Sequence, residues 1–148
     1  MIGDENLVML VEDNADHAEL VIRTLESHHI PNKILHISDG ETALDYLLRR
    51  NSFSDPQSSP RPHIILLDLR LPRVDGLEVL RMIKKEGDEL RNIPVVVLTT
   101  SEAEKDMIHA YENYANSYLV KPVGYEEFNS LMHDLGGYWL GWNKQVQG

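Results

Sequence analysis

Residues 63–69 have the sequence HIILLDL, an apolar run that one carboxylate, Asp68, interrupts near its end. A run this short cannot form a helix of its own, and its composition is typical of a strand that is buried on both faces. A turn signal follows at Asp75-Gly76, and apolar residues then recur every three positions, as on one face of a helix. This segment therefore predicts a buried parallel strand, a loop and a helix.

The same unit recurs along the whole chain. Four further strands are predicted within 7–11 (LVMLV), 33–38 (KILHIS), 93–98 (IPVVVL) and 117–120 (SYLV), and a helical apolar pattern follows each of them. Strands that alternate with helices require right-handed crossovers, which place helices on both faces of a parallel sheet. We therefore expect an α/β fold with a doubly wound sheet of five parallel strands. Residues 51–62 (NSFSDPQSSPRP) are predicted to form a long surface loop.

Composition narrows the class of protein. The 148 residues fit one domain and include no cysteine, which excludes disulfides, thiolate metal sites and cysteine nucleophiles. Asp and Glu number 24 against 14 Lys and Arg, a net charge of −10, which disfavours nucleic acids and anionic membrane surfaces as partners. The sequence has no apolar run of membrane-spanning length and no signal-peptide pattern. We expect a soluble, cytoplasmic protein.

Polar side chains stand where four of the five predicted strands end. Glu12 and Asp13 follow the first strand, Asp68 lies at the end of the third, Thr99 ends the fourth and Lys121 ends the fifth. If the strand order is 2-1-3-4-5, the first and third strands are neighbours and the three carboxylates converge. Such a cluster repels itself, and a hard cation such as Mg²⁺ relieves the repulsion. A carboxylate beside Mg²⁺ and a lysine can act as a nucleophile toward phosphorus.

Four motifs, in order along the chain, point to one family. They are LVED at 10–13, LLDLRLPRVDG at 66–76, PVVVLTT at 94–100 and SYLVKP at 117–122. In these motifs the chain resembles the receiver domains of two-component response regulators. The resemblance implies a flavodoxin-like, doubly wound (βα)5 parallel sheet with strand order 2-1-3-4-5. It also implies a single receiver domain over 1–148, with a short aromatic C-terminal extension at about 137–148.

The resemblance also assigns roles to individual residues. It makes Asp68 the phosphoacceptor, and it implies that Mg²⁺ is held by Glu12, Asp13, Asp68 and the backbone carbonyl of Arg70. It makes Lys121 the phosphoryl-binding lysine and Thr99 and Tyr118 a switch pair, although a strand tyrosine is also common as core filling. Many family members have a smaller or uncharged side chain in place of Arg70 and a smaller one in place of Thr100. Because these positions affect access of water, we expect the lifetime of the phosphoryl group to be tuned by Arg70, Thr100 and Ser101. Family members usually have a cis peptide at the position of Lys121-Pro122.

The function that the resemblance implies is a phosphorylation-driven switch. A histidine kinase would phosphorylate Asp68, and the surface made by the fourth helix, fifth strand and fifth helix would change shape to control partner binding or dimerisation. The loop at 51–62 and the ending GYWLGW at 137–142 are similar to receivers paired with phytochrome-type histidine kinases. We also expect a homodimer, because Tyr138, Trp139 and Trp142 lie on a short tail, where core packing is the alternative.

Two alternatives belong to other functional classes. A haloacid-dehalogenase-like phosphatase also uses a nucleophilic Asp with Mg²⁺, but it requires a second Asp two residues on, where this chain has Arg70. A pseudo-receiver adaptor binds partners without phosphorylation, but it typically lacks the Asp or Lys that stand here as Asp68 and Lys121. We therefore expect a phosphoacceptor that is not a turnover enzyme.

Overall fold

Five parallel strands form one sheet in the order β2-β1-β3-β4-β5, which confirms the predicted order. The computed structural model describes residues 6–27, 32–85, 87–100, 104–113, 115–122 and 124–136. The strands are β1 (Asn6–Val11), β2 (Asn32–Ile37), β3 (Ile64–Leu67), β4 (Val95–Thr99) and β5 (Ser117–Val120). The order reverses at β1, because β2 and β3 pair with its two edges. In a sheet of this kind ligands bind beside that reversal, at the carboxyl ends of the strands.

Five helices cover the two faces of the sheet. They are α1 (Ala15–Glu26), α2 (Gly40–Leu47), α3 (Gly76–Lys85), α4 (Glu104–Glu112) and α5 (Tyr125–Gly136). Asn14 caps α1 by accepting from the His17 amide at 3.1 Å, and Asp39 caps α2 by accepting from the Thr42 amide at 2.7 Å. A short helix that the sequence pattern did not predict, Asp88–Arg91, lies between α3 and β4. The predicted alternation of strands and helices is therefore confirmed, and a hydrophobic core lies on each side of the sheet.

The central strand β3 is apolar throughout because it faces a core on each side. Ile65 and Leu67 pack into a cluster that includes side chains of α2 and α3, whereas Ile64 and Leu66 pack into a second cluster that includes side chains of α1 and α5. All four side chains are at most 2% exposed. Alternate residues of a strand point to opposite faces, so a doubly covered strand must be apolar at every position.

The segment at 51–62 packs on the C-terminal end of α2. It contains one turn of 3₁₀-helix, Asn51–Phe53. The Tyr46 hydroxyl donates to the Pro60 carbonyl at 2.5 Å, and the Arg61 guanidinium donates to the Leu47 carbonyl. These contacts attach the predicted loop to the body of the domain.

The described residues bear on the expectations about membrane spans and the cis peptide, but they do not include all of the predicted site and tail residues. No described helix has both the length and the apolar character that membrane spanning requires. Ser101 and the aromatic tail residues fall outside the described ranges. The expected cis peptide at Lys121-Pro122 is wrong here, since the described part of the chain has no cis peptide bond. Proline lowers the preference for trans to about 0.5–1 kcal/mol, so the dipeptide by itself does not determine the isomer.

Candidate functional site

Backbone hydrogen bonds extend the sheet just beyond its strands and bring the polar strand ends together. The Glu12 amide donates to the Ile37 carbonyl at 3.0 Å, and the Asp68 amide donates to the Val11 carbonyl at 3.0 Å. The Lys121 amide donates to the Thr99 carbonyl at 2.7 Å. Because these bonds hold the residue after each strand in sheet geometry, the polar side chains at the strand ends converge on one edge of the sheet.

The structure places three carboxylates in one cluster. One ligand oxygen each from Glu12, Asp13 and Asp68 lies within 4.8 Å of the others. Glu12 and Asp68 are 2% and 6% exposed, whereas Asp13 is exposed. An all-oxygen set of this kind fits a hard divalent cation, and the exposed carboxylate of Asp13 leaves the cluster open to solvent on one side. The residues present therefore suit the divalent metal that sequence analysis predicted.

A buried ammonium lies against the same carboxylates. The Lys121 Nζ donates to Oε1 of Glu12 and, at 3.2 Å, to Oδ2 of Asp68. It also lies 3.1 Å from Nδ1 of His17, and since an ammonium has no acceptor, this imidazole nitrogen must be the acceptor. Lys121 thus directs its three N–H groups at three partners and compensates one of the negative charges of the cluster.

Burial and charge shift two titrating groups at this edge. Desolvation by burial raises the pKa of Glu12 to about 7, and Asp68 adds to the rise, whereas Lys121 and the Asn14 amide oppose it. Burial also lowers the pKa of His17, and the positive charge of Lys121 lowers it further. A neutral His17 agrees with its role as acceptor from Lys121.

The other predicted site residues within the described ranges lie in the loop after β3, at the end of β4 and on β5. Thr99 is fully buried at the end of β4, and Thr100 is exposed beside it. Tyr118 is 8% exposed and belongs to the hydrophobic core, which agrees both with core filling and with the inward position of a switch residue. The Arg70 amide donates to Oδ1 of Asp68 at 3.2 Å, and the Arg70 guanidinium pairs with Asp106.

The loop after β3 is closed by a contact that only glycine permits. Gly76 begins α3, and its amide donates to the Leu69 carbonyl at 2.9 Å. A Cβ atom on Gly76 would lie 2.2 Å from the carbonyl oxygen of Asp68 and 2.5 Å from Cα of Leu69. The backbone of Asp68 is therefore held between β1 and the start of α3.

Two site neighbours were not predicted as part of the site. The sequence places His17 in the first helix beside the site but gives it no role there, and it contains no signal for Asp106, which lies 36 residues from its partner Arg70. His17 falls four residues after Asp13, within the first turns of a predicted helix, so its proximity to the cluster was accessible from helix geometry. The pairing of Asp106 depends on how α4 packs and was not accessible.

Comparison with known sequences gives a consistent set of relatives. The profile of the response regulator receiver domain matches residues 8–133. The probable methanogenesis regulatory protein FilR2 of Methanothrix harundinacea is 47% identical over 141 residues, which cover 95% of this chain and 88% of that protein. Response regulator Rcp1 of Synechocystis sp. is 39% identical over 134 residues, which cover 90% of this chain and 88% of that protein.

Solved structures give the same result. The Mn²⁺-bound form of response regulator Rcp1 superposes with a TM-score of 0.90 at 36% identity, over 96% of this chain and 99% of that one. The phosphorylated cyanobacterial phytochrome response regulator RcpA superposes with a TM-score of 0.90 at 33% identity, over 97% of this chain and 99% of that one. The predicted flavodoxin-like fold is thereby confirmed.

Proposed function

The chain belongs to the response regulator receiver family, and from that premise we propose that a histidine kinase phosphorylates it on Asp68 in a Mg²⁺-dependent reaction. The observation that carries this proposal is the contact of the buried Lys121 ammonium with Glu12 and Asp68, beside the exposed Asp13. Three carboxylates with one lysine at the sheet edge form a site for a divalent cation and a phosphoryl group together. The Mn²⁺-bound structure of Rcp1 supports a metal in a relative of this chain.

Each residue of the site has a chemical task in this reaction. A carboxylate oxygen of Asp68 forms a bond to phosphorus while the phosphorus–nitrogen bond of the kinase phosphohistidine breaks, and the imidazole leaves. The cation would be held by Glu12, Asp13, Asp68 and the backbone carbonyl of Arg70, and it would neutralise charge on the transferring group. The Lys121 ammonium donates to one phosphoryl oxygen, and the Thr99 hydroxyl donates to another.

The phosphoryl group then acts as a switch and is not passed to a further substrate. Phosphorylation adds charge and three acceptor oxygens beside Thr99, and Thr99 with Tyr118 transmits this change to the surface of α4, β5 and α5. Arg70, Thr100 and Ser101 set access of water and hence the lifetime of the acyl phosphate. In this proposal the chain is a cytoplasmic phosphoacceptor that dephosphorylates itself, with no nucleic acid or membrane partner.

The α4 surface has the character of a docking site. Met107, Ile108 and Tyr111 are 37%, 47% and 49% exposed on this helix. We propose that phosphorylation controls a homodimer through this surface and the C-terminal extension. Light scattering with and without beryllofluoride, a phosphoryl mimic, would show a dimer whose population falls in Ile108→Lys; a monomer in both states at high micromolar concentration would contradict it.

The relatives differ in what their names say about the input signal. RcpA is a phytochrome response regulator, and its fold matches this chain closely, so we propose a phytochrome-type kinase as the phosphodonor. FilR2, a probable methanogenesis regulatory protein, is more similar in sequence and supports a second candidate, a kinase of that pathway. Phosphotransfer rates from purified kinases of both types would decide between them, and the faster donor would be the kinase that this chain serves.

The central test is the intact mass of the protein after incubation with Mg²⁺ and acetyl phosphate. We expect one added phosphoryl group, which is lost in Asp68→Asn and in EDTA and retained in Asp75→Asn, a matched change at an exposed carboxylate of the same loop. No adduct and no beryllofluoride complex would instead identify a pseudo-receiver adaptor. Sustained hydrolysis of a phosphomonoester would identify a phosphatase.

A further inference from the structure

An ion pair joins the loop that carries the phosphoacceptor to helix α4. Nη2 of Arg70 lies 2.6 Å from Oδ2 of Asp106, in the first turns of α4. The two residues are 36 positions apart, so the contact exists only because the loop after β3 packs against this helix. Arg70 therefore touches both the site and the helix that borders it.

The two partners differ sharply in burial. The Asp106 side chain is 7% exposed, whereas the Arg70 side chain is 60% exposed. A buried carboxylate that loses its cation loses an attraction that offset part of its desolvation, whereas an exposed guanidinium remains hydrated when it leaves. Breaking this ion pair therefore costs more free energy at Asp106, on α4, than at Arg70.

A phosphoryl group on Asp68 would form beside this arginine. The Arg70 amide donates to Oδ1 of Asp68 at 3.2 Å, so the backbone from which the Arg70 side chain extends is already in contact with the phosphoacceptor. A phosphoryl group carries a charge of about −1.5 to −2 and three acceptor oxygens, and the planar guanidinium fork suits two of them at once. The singly charged Asp106 is the weaker competitor.

From this geometry we propose that Arg70 is a phosphorylation-released latch. Without phosphorylation Arg70 holds Asp106 and so holds α4 against the loop after β3. On phosphorylation the guanidinium exchanges Asp106 for the phosphoryl group, and α4, which carries the exposed Met107, Ile108 and Tyr111, is no longer held against the loop. The latch rests on the proposed phosphorylation of Asp68.

The test is hydrogen exchange of the amides of 104–112, measured by mass spectrometry with and without beryllofluoride. In the wild type we expect exchange to accelerate about tenfold when beryllofluoride binds. Asp106→Asn, which keeps the side-chain shape, and Arg70→Gln should both show the fast exchange without beryllofluoride. The matched control is Asp45→Asn, which removes a carboxylate from the remote ion pair with Arg50 and should behave as the wild type.

A second readout separates a latch from a merely structural pair. Asp106→Asn leaves the guanidinium available to the phosphoryl group and should lengthen the lifetime of the acyl phosphate about threefold or more, whereas Arg70→Gln should shorten it. Slow, wild-type exchange in both variants, in samples whose mass shows a phosphoryl adduct, would overturn the latch and leave the proposed function intact. If the wild type forms no adduct, the proposed function and the latch fail together.

Discussion

Substitution of Gly76 by alanine tests whether the backbone of Asp68 is held as the structure shows. The added methyl group would lie 2.2 Å from the Asp68 carbonyl oxygen and 2.5 Å from Cα of Leu69, whereas ordinary contact begins at 3.4 Å. Both neighbours are backbone atoms, so no side-chain rotation relieves the clash. The start of α3 and the end of β3 must separate by about 1 Å.

The cost of this separation has two parts. Forcing extra volume into a packed site costs about 1–3 kcal/mol of the free energy of unfolding, and the better helix propensity of alanine returns less than about 1 kcal/mol. The catalytic effect is larger, because the displaced residue is the phosphoacceptor itself. A misplacement of about 1 Å lowers a reaction rate by as much as about 100-fold.

The control is Gly87→Ala, since a Cβ atom on Gly87 would meet nothing within 4 Å and its φ is not left-handed. Urea denaturation should show Gly76→Ala destabilised by about 2 kcal/mol and Gly87→Ala unchanged or stabilised by up to about 1 kcal/mol. The rate of phosphorylation by acetyl phosphate, followed by intact mass, should fall only in Gly76→Ala. Equal stability and equal rates in the two variants would refute the close approach of α3 to Asp68.

Three further predictions concern stability and pH. Arg49 follows α2 with a φ of 55°, and its amide donates to the Tyr46 carbonyl in a helix ending that favours glycine. Arg49→Gly should therefore raise the free energy of unfolding by about 1 kcal/mol, which shifts the urea midpoint upward. A lowered midpoint would contradict this. The Lys84 ammonium donates to two backbone carbonyls at 2.9 and 3.0 Å, so Lys84→Met should cost about 1–3 kcal/mol at neutral pH, and the exposed Lys85→Met should cost little. Because burial lowers the pKa of Lys84, the unfolded chain binds more protons between that lowered value and 10.5, and thermal melts should show a rise in stability with pH there that Lys84→Met lacks. Burial raises the pKa of Glu12 to about 7, and a carboxylate must be ionised to bind a metal. Calorimetry should therefore show Mg²⁺ affinity increasing about tenfold from about pH 6 to about pH 8. A constant affinity over this range would contradict a raised pKa of Glu12.

The positions of the strands and of the reactive side chains followed from local sequence alone. A run such as IILL at 64–67 is apolar at every position, which is typical of a strand covered on both faces. Parallel strands direct all their carboxyl ends to one edge, so Asp13, Asp68 and Lys121 could be grouped before any contact was known. These inferences needed only the repeat of strand and helix.

Tertiary packing decided the features that depend on which surfaces meet. An arginine two residues after Asp68 can reach a phosphoryl group or a carboxylate, and only the placement of α4 pairs it with Asp106. The pKa of Glu12 depends on its burial at the end of β1, which lies between β2 and β3 in the sheet. The ion pair and the pKa both involve residues that are distant in sequence, whereas the period of apolar residues is a property of each segment. For that reason the chain's own sequence specified the fold and the reacting groups, and the packing of the elements specified how those groups are charged and coupled.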